Sequence, residues 1–123
     1  MIGCAIEVHR ELGPGLLEMM YEECLADELG RHGLPFERQV KTPVIYKGRQ
    51  LGTRYRLDLI VQRVVVVEIK AVETLLPVHK AQVLTQLRIT DLPLGLLINF
   101  NGVTLIDGVR RVIHQPRKTI PVL

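Results

Sequence analysis

The run Val64-Val65-Val66-Val67 passes without a break into Glu68-Ile69-Lys70. Four β-branched residues in a row favour an extended chain, and a strand that is apolar at odd and even positions alike has no face to give to water. Such a strand is buried on both faces, as in the middle of a sheet that carries layers on each side. Alternation then sets Glu68 and Lys70 on one face and Ile69 on the other. A charged pair at the end of a central strand needs a reason, because unpaired charge is costly to bury. One reason is that the strand has reached solvent, or that Glu68 and Lys70 pair with each other. Another is a metal ligand beside a cationic helper. The tripeptide alone favours the first.

The neighbouring segments supply the layers. Residues 2–12 have apolar Ile2, Ala5, Ile6, Val8 and Leu12 among charged Glu7, Arg10 and Glu11, and predict a helix ended by Gly13-Pro14-Gly15. A second helix is predicted from Leu16 to His32, on the helical spacing of Leu17, Met20, Tyr21, Cys24, Leu25 and Leu29, with Gly33 as its stop. Phe36 to Tyr46 reads as a strand whose Pro43 argues for an edge or a bulge. Lys47 to Gln50 is a turn, and Leu51 to Ile60 a second strand. Pro77 to Asp91 reads as a helix with an apolar stripe of Val78, Ala81, Leu84 and Leu87. Leu94 to Phe100 is a strand, and Asn101-Gly102 predicts a hairpin into a last strand, Val103 to Ile106. Residues 114–123 read as a loose tail. The order ααβββαββ implies one α/β domain over residues 1–113, with a mixed sheet flanked by helices.

Composition agrees. At 123 residues the chain suits one domain, and with 47% apolar residues but 4% aromatics and no Trp its core is aliphatic. A net charge of +3 permits a polyanionic partner without requiring one. Cys4 and Cys24 make no CxxC spacing and read as buried thiols of a reducing, cytoplasmic protein. No segment is long enough for a membrane span, and the N-terminus lacks the pattern of a secretory signal. The apolar terminal strand pair from Leu94 to Ile106 would need cover, from a helix of the same chain or from a second copy in a homodimer.

Asp58 changes the weight given to Glu68. It lies on the preceding strand, ten positions before Glu68, and a reversal near Gln62-Arg63 sets the two nearly opposite. Two adjacent carboxylates repel unless a cation stands between them. A hard divalent ion that keeps several waters, Mg²⁺ or Mn²⁺, suits so few protein ligands. The plainer alternative pairs Asp58 with Arg56 or Lys70. Glu18, on a helical face with Glu22, and Gln82, on one face with His79, are unremarkable alone.

Together the segments resemble a known family. Gly15-Leu16-Leu17-Glu18-Met19-Met20-Tyr21 matches the signature of the GxxExxY family, within the PD-(D/E)xK nuclease superfamily. The stretch Ala5 to Gly15, Val67-Glu68-Ile69-Lys70-Ala71, His79-Lys80-Ala81-Gln82 and Leu94 to Phe100 are similar to it as well, so the likeness runs from about residue 2 to about residue 113. The resemblance implies a restriction-endonuclease-like core in which Asp58, Glu68 and the Ile69 carbonyl hold the metal and Lys70 orients the attacking water. Glu18 would add an acid from an early helix, and Gln82 would open a QxxxY motif. That motif reads Gln82-Val83-Leu84-Thr85-Gln86 here, with Gln86 where Tyr is expected at the substrate.

The implied activity is metal-dependent hydrolysis of phosphodiester bonds in nucleic acid. Arg54, Arg56, His79, Lys80 and Arg88 are candidates for substrate contacts, with solvated surface charge as the plainer reading of each cation. The alternatives are a nucleic-acid-binding module without turnover and a protein-interaction module with a structural salt-bridge network.

Overall fold

The computed structural model describes residues 1–116. Two helices, α1 (Ile2–Leu12) and α2 (Glu18–Arg31), precede three strands, β1 (Phe36–Tyr46), β2 (Arg49–Val61) and β3 (Val65–Lys70). Then follow α3 (Pro77–Thr90), β4 (Leu94–Asn99), a 3-10 turn at Ile106–Gly108 and β5 (Val109–Ile113). The strands lie side by side in chain order, antiparallel except for the parallel β3–β4 pair that α3 connects. The valine-rich strand is the central one, with helices on both faces of the mixed sheet.

Cys4, Ala5 and Val8 of α1 and Tyr21, Leu25 and Leu29 of α2 pack on Leu59, Val61, Val67, Ile69, Leu96 and Ile98. On the opposite face Val83 and Leu87 of α3 pack on Leu57, Val66, Leu97 and Val112. Gly95 lets α3 come this close, since a Cβ there would stand 2.5 Å from Val83 Cγ1. The corner between α1 and α2 is closed by Tyr21. Its hydroxyl donates to the Gly13 carbonyl at 2.6 Å and accepts from Leu16 N–H at 3.2 Å, while its ring stacks on Phe100 with centroids 4.6 Å apart.

One irregularity shapes the sheet. Leu57, Leu59 and Val61 are all odd-numbered, so a regular strand would point them to one face. Instead Leu59 and Val61 join α1 and α2, whereas Leu57 joins α3. The partner strand does the same, with Phe36 on one side and Val40 on the other. Between them Gln39 adopts the left-handed region at φ 51°, and its β1–β2 pairing skips from Arg38↔Leu59 to Val40↔Leu57. The hairpin therefore turns over at Asp58, and its far half curls toward α3.

Two expectations fail. The hairpin at Asn101-Gly102 does not form; residues 101–105 are a loop and the last strand begins only at Val109. Tertiary hydrogen bonds override the turn dipeptide. His9 Nε2 meets the Gly102 carbonyl at 2.9 Å, and the Asn99 side chain accepts from Asn101 N–H at 3.2 Å. The 3-10 turn then brings Gly108 against the Asn99 backbone, where no side chain fits. β4 is consequently an interior strand paired on both sides, so the apolar pair from Leu94 to Ile106 that motivated a homodimer is absent; the sheet edges are β1 and β5. The second failure is the stripe of α3. Val78 and Ala81 are exposed, and the buried residues are Val83, Gln86 and Leu87. Pro43 does lie on an edge strand, beside a register shift between Pro43 and Ile45. Of the expected loose tail, His114 is tied down, its N–H donating to the Pro93 carbonyl at 2.9 Å, and residues 117–123 lie outside the described residues. Among the described residues no helix is long and apolar enough to cross a membrane.

Candidate active site

The site grows from the place where β2 and β3 part. Their ladder is short: Val61↔Val65, Ile60↔Val66 and Leu59↔Val67. The reversal between them uses Gln62 and Arg63, both with positive φ. The same register would next set Asp58 opposite Glu68 and Leu57 opposite Ile69, but β2 turns over there and the backbone pairing ends. The Ile69 N–H left without a strand partner is taken by the Asp58 side chain, Oδ2 accepting at 2.9 Å. A carboxylate thus sits inside the gap that the parted strands leave.

Glu68 faces the α3 side of this gap. Its Oε2 accepts from Gln86 Nε2 at 2.7 Å, and its Oε1 is 3.6 Å from Lys70 Nζ. Both side chains of the ion pair are largely buried. Glu18, in the first turn of α2, accepts from Ala71 N–H at 3.3 Å, just beyond Lys70. Asp58, Glu68 with Lys70, and Glu18 thus reach the Ile69–Ala71 end of β3 from three elements. The electrostatics register the crowding. Burial, then the nearby Glu68 charge, push the Asp58 carboxyl up to about 6, with smaller contributions from Glu22 and Glu18, against the lowering effect of the Ile69 N–H.

Two supporting residues were not foreseen as part of the site. Glu22 is buried, accepting from Arg38 at 3.0 Å and from Gln39 Nε2 at 2.6 Å. It so holds Gln39, whose left-handed backbone lies opposite Asp58. The signal was its place four residues after Glu18 on one helical face. Asn99 is buried too, its amide donating to the Val72 carbonyl at 2.9 Å and its Oδ1 accepting from Val72 N–H at 3.0 Å. It holds the segment that follows Lys70. A polar residue between Ile98 and Phe100, in an apolar strand, was the available hint.

The substrate candidates are more dispersed. Arg54 and Arg56 are exposed on the far half of β2, opposite Pro43 and Lys41. Gln82 is half-buried, one turn before Gln86. His79 Nδ1 accepts from Leu76 N–H at 2.9 Å at the start of α3, which leaves Nε2 to carry the proton of the neutral ring. Lys80 lines an apolar cleft between α3 and β5 with Arg111 and Ile113. Arg88 lies toward the far end of the β1–β2 hairpin, beside Pro43 and Lys47. Neither cleft is lined by Asp58, Glu68, Lys70 or Glu18. Gln86, expected at the substrate, is buried.

Among the described residues no three His, Cys, Asp or Glu side chains form a ready-made metal cage. The acids at the gap are instead two carboxylates, Asp58 and Glu68, each with one oxygen already held by an N–H. That set fits a hard ion that retains water, since Mg²⁺ is typically bound by one or two carboxylates. The unfavourable crowding of Asp58 with Glu68 is what a cation would relieve.

No curated protein matches the chain. A solved structure described as "Crystal structure of SSO0001" is 19% identical, with a TM-score of 0.47, over 93% of this chain and 62% of the other, so this chain spans less than two thirds of that protein. The model of the PD-(D/E)XK nuclease superfamily matches residues 1–112. With nearly the whole described fold inside that match, the chain belongs to the PD-(D/E)XK nuclease superfamily.

Proposed function

We propose that this chain is a Mg²⁺- or Mn²⁺-dependent nuclease that hydrolyses phosphodiester bonds of nucleic acid, and that it falls in the GxxExxY branch. The observation that carries the reading is the parted β2–β3 ladder, with Asp58, Glu68 and Lys70 gathered in the gap. The branch assignment draws support from the separate duties of the signature residues: Glu18 turns to the site while Tyr21 locks the glycine corner beneath it.

Asp58, Glu68 and the Ile69 carbonyl would hold the divalent cation, which when bound would supply Lewis acidity at the phosphoryl group. The Ile69 N–H keeps Asp58 Oδ2, so Oδ1 is the oxygen left to bind. Lys70 Nζ, near Glu68 Oε1, orients the attacking water and meets the negative charge that develops on the phosphoryl oxygens. Glu18 adds negative charge at the rim and can hold a further water. Arg54, Arg56, Lys80 and Arg88 would contact phosphates along an extended polymer, and Gln82 and His79 would approach it from α3.

A cleavage screen on single- and double-stranded DNA and RNA with Mn²⁺, run beside Glu68→Ala, tests the reading. Cleavage by the wild type and none by the variant is the expected result. Binding without cleavage by both would favour a nucleic-acid-binding module.

A further inference from the structure

Gln86 lies under the site and is 2% exposed. Its Nε2 donates to Glu68 Oε2 at 2.7 Å, but its own Oε1 is buried with no partner among the described residues. Packing alone does not account for such a residue, because Leu or Met would fill a similar volume without a buried unanswered acceptor. Glu68 does account for it. An ionised carboxylate only accepts hydrogen bonds, so the amide must present its nitrogen and leave its oxygen facing away. The opposite amide orientation would set oxygen against oxygen.

The contact divides the labour of the two Glu68 oxygens. Oε2 is held by a short hydrogen bond from a helix that Val83 and Leu87 seat on the sheet at Gly95. Among the described residues Oε1 has Lys70 at 3.6 Å, a looser contact. We infer that Gln86 is a positioning residue that pins one oxygen of Glu68 so that the other faces the metal, and that it acts through Glu68 rather than on the substrate. The inference rests on the function proposed above.

The test compares the wild-type chain with Gln86→Met. Loss of an outer hydrogen-bond partner of a metal ligand typically costs about 10- to 100-fold in metal affinity or activity. Mn²⁺ affinity, read by calorimetry, should fall by about that factor, and kcat with it. KM for nucleic acid should stay level, and the unfolding midpoint of the metal-free protein should hold or rise. A raised KM with intact Mn²⁺ affinity would mean a substrate contact and overturn the inference, as would a lowered midpoint with Mn²⁺ affinity unchanged. A second readout needs neither metal nor turnover. The Gln86 side-chain amide protons should exchange slowly by NMR in the wild type and lose that protection in Glu68→Ala. Amide protection that Glu68→Ala leaves intact would overturn the inference. Failure of the wild type to bind Mn²⁺ would instead count against the metal-dependent function, with the amide signal still deciding what Gln86 holds.

Discussion

The two faces of the sheet are built to different ends. Under α1 and α2 lie, among the described residues, fourteen buried residues in one largely aliphatic cluster, which His9 and Tyr21 pin to backbone while Glu22 of α2 takes the Arg38 and Gln39 side chains. Under α3 the buried cluster has six of the described residues and stops at Glu68, Lys70 and Gln86. A single strand serves both, since β3 gives Val65, Val67 and Ile69 to one side and Val66, Glu68 and Lys70 to the other. The larger face carries most of the apolar burial that offsets chain entropy, and that leaves the smaller one free to keep groups that stability alone would not select. Damage to the first should unfold the protein, whereas damage to the second should mainly change what it binds and turns over.

The largest effect should come from Tyr21→Ala. It removes the ring stacked on Phe100 and both hydrogen bonds at the glycine corner. Large aromatic truncations in a core cost about 3–5 kcal/mol. Denaturant unfolding should show a loss of that size; a loss below about 1 kcal/mol would erase the distinction between the faces. On the other face Lys70→Ala should lower turnover about a hundred- to a thousand-fold, or about 3–4 kcal/mol in the barrier, as for loss of one preorganised donor. Metal affinity should stay, because a cation cannot ligate Mg²⁺. Near-normal cleavage at saturating Mg²⁺ would reduce Lys70 to a salt-bridge partner of Glu68.

Gly95→Ala probes the seam between packing and chemistry. The new Cβ would press on Val83 and Leu87, and overpacking of this kind costs about 1–3 kcal/mol. Because α3 also carries Gln86, the variant should weaken Mn²⁺ binding along with stability. A pure stability loss, with calorimetric affinity unchanged, would show that α3 can shift without disturbing Glu68.

The parts of this arrangement that depend on local pattern were legible in the sequence. The valine run gave the central strand, and the Gly13-Pro14-Gly15 corner and Pro77 gave helix ends near those observed. Spacing and one turn sufficed to set Asp58 on the strand beside Glu68 and Lys70, the order in which β2 and β3 lie. What escaped depends on contacts between distant residues. Asn101-Gly102 has ideal hairpin chemistry, but His9 and Asn99 hold that segment in a loop. The three-residue spacing of Val78, Ala81, Leu84 and Leu87 placed Leu84 and Leu87 on the core but missed the exposure of Val78 and Ala81, since no local signal says that Gly95 will admit Val83 or that Glu68 will draw Gln86 inward. The turnover of the hairpin at Asp58 was equally hidden, because it rests on Gln39 in a conformation that non-glycine residues seldom adopt and on Glu22 holding it there.

Asp58 stands where the two faces exchange, and Asp58→Asn should give the smallest change in stability and the most diagnostic one. The folded-state carboxyl is raised to about 6 from 3.8, first by burial and then by Glu68. For an acid with a raised folded-state pKa, the unfolded chain releases its proton first as pH rises. Stability therefore falls between about pH 4 and pH 6, and the full penalty stands above pH 6. The shift bounds that penalty at about 3 kcal/mol, and solvent screening of a half-buried group reduces it to about 1–2 kcal/mol. Asn keeps an oxygen for the Ile69 N–H and removes the charge. Unfolding of the metal-free variant should thus show about 1–2 kcal/mol of added stability at pH 7–8, no gain near pH 4, and a flatter profile between. Mn²⁺ affinity should be lost in the variant, and in the wild type it should decline as pH drops through about 6, where protons compete for the same oxygens. A variant less stable at every pH, with Mn²⁺ affinity intact, would make Asp58 a structural cap for Ile69 and assign the gap between β2 and β3 to folding rather than to chemistry.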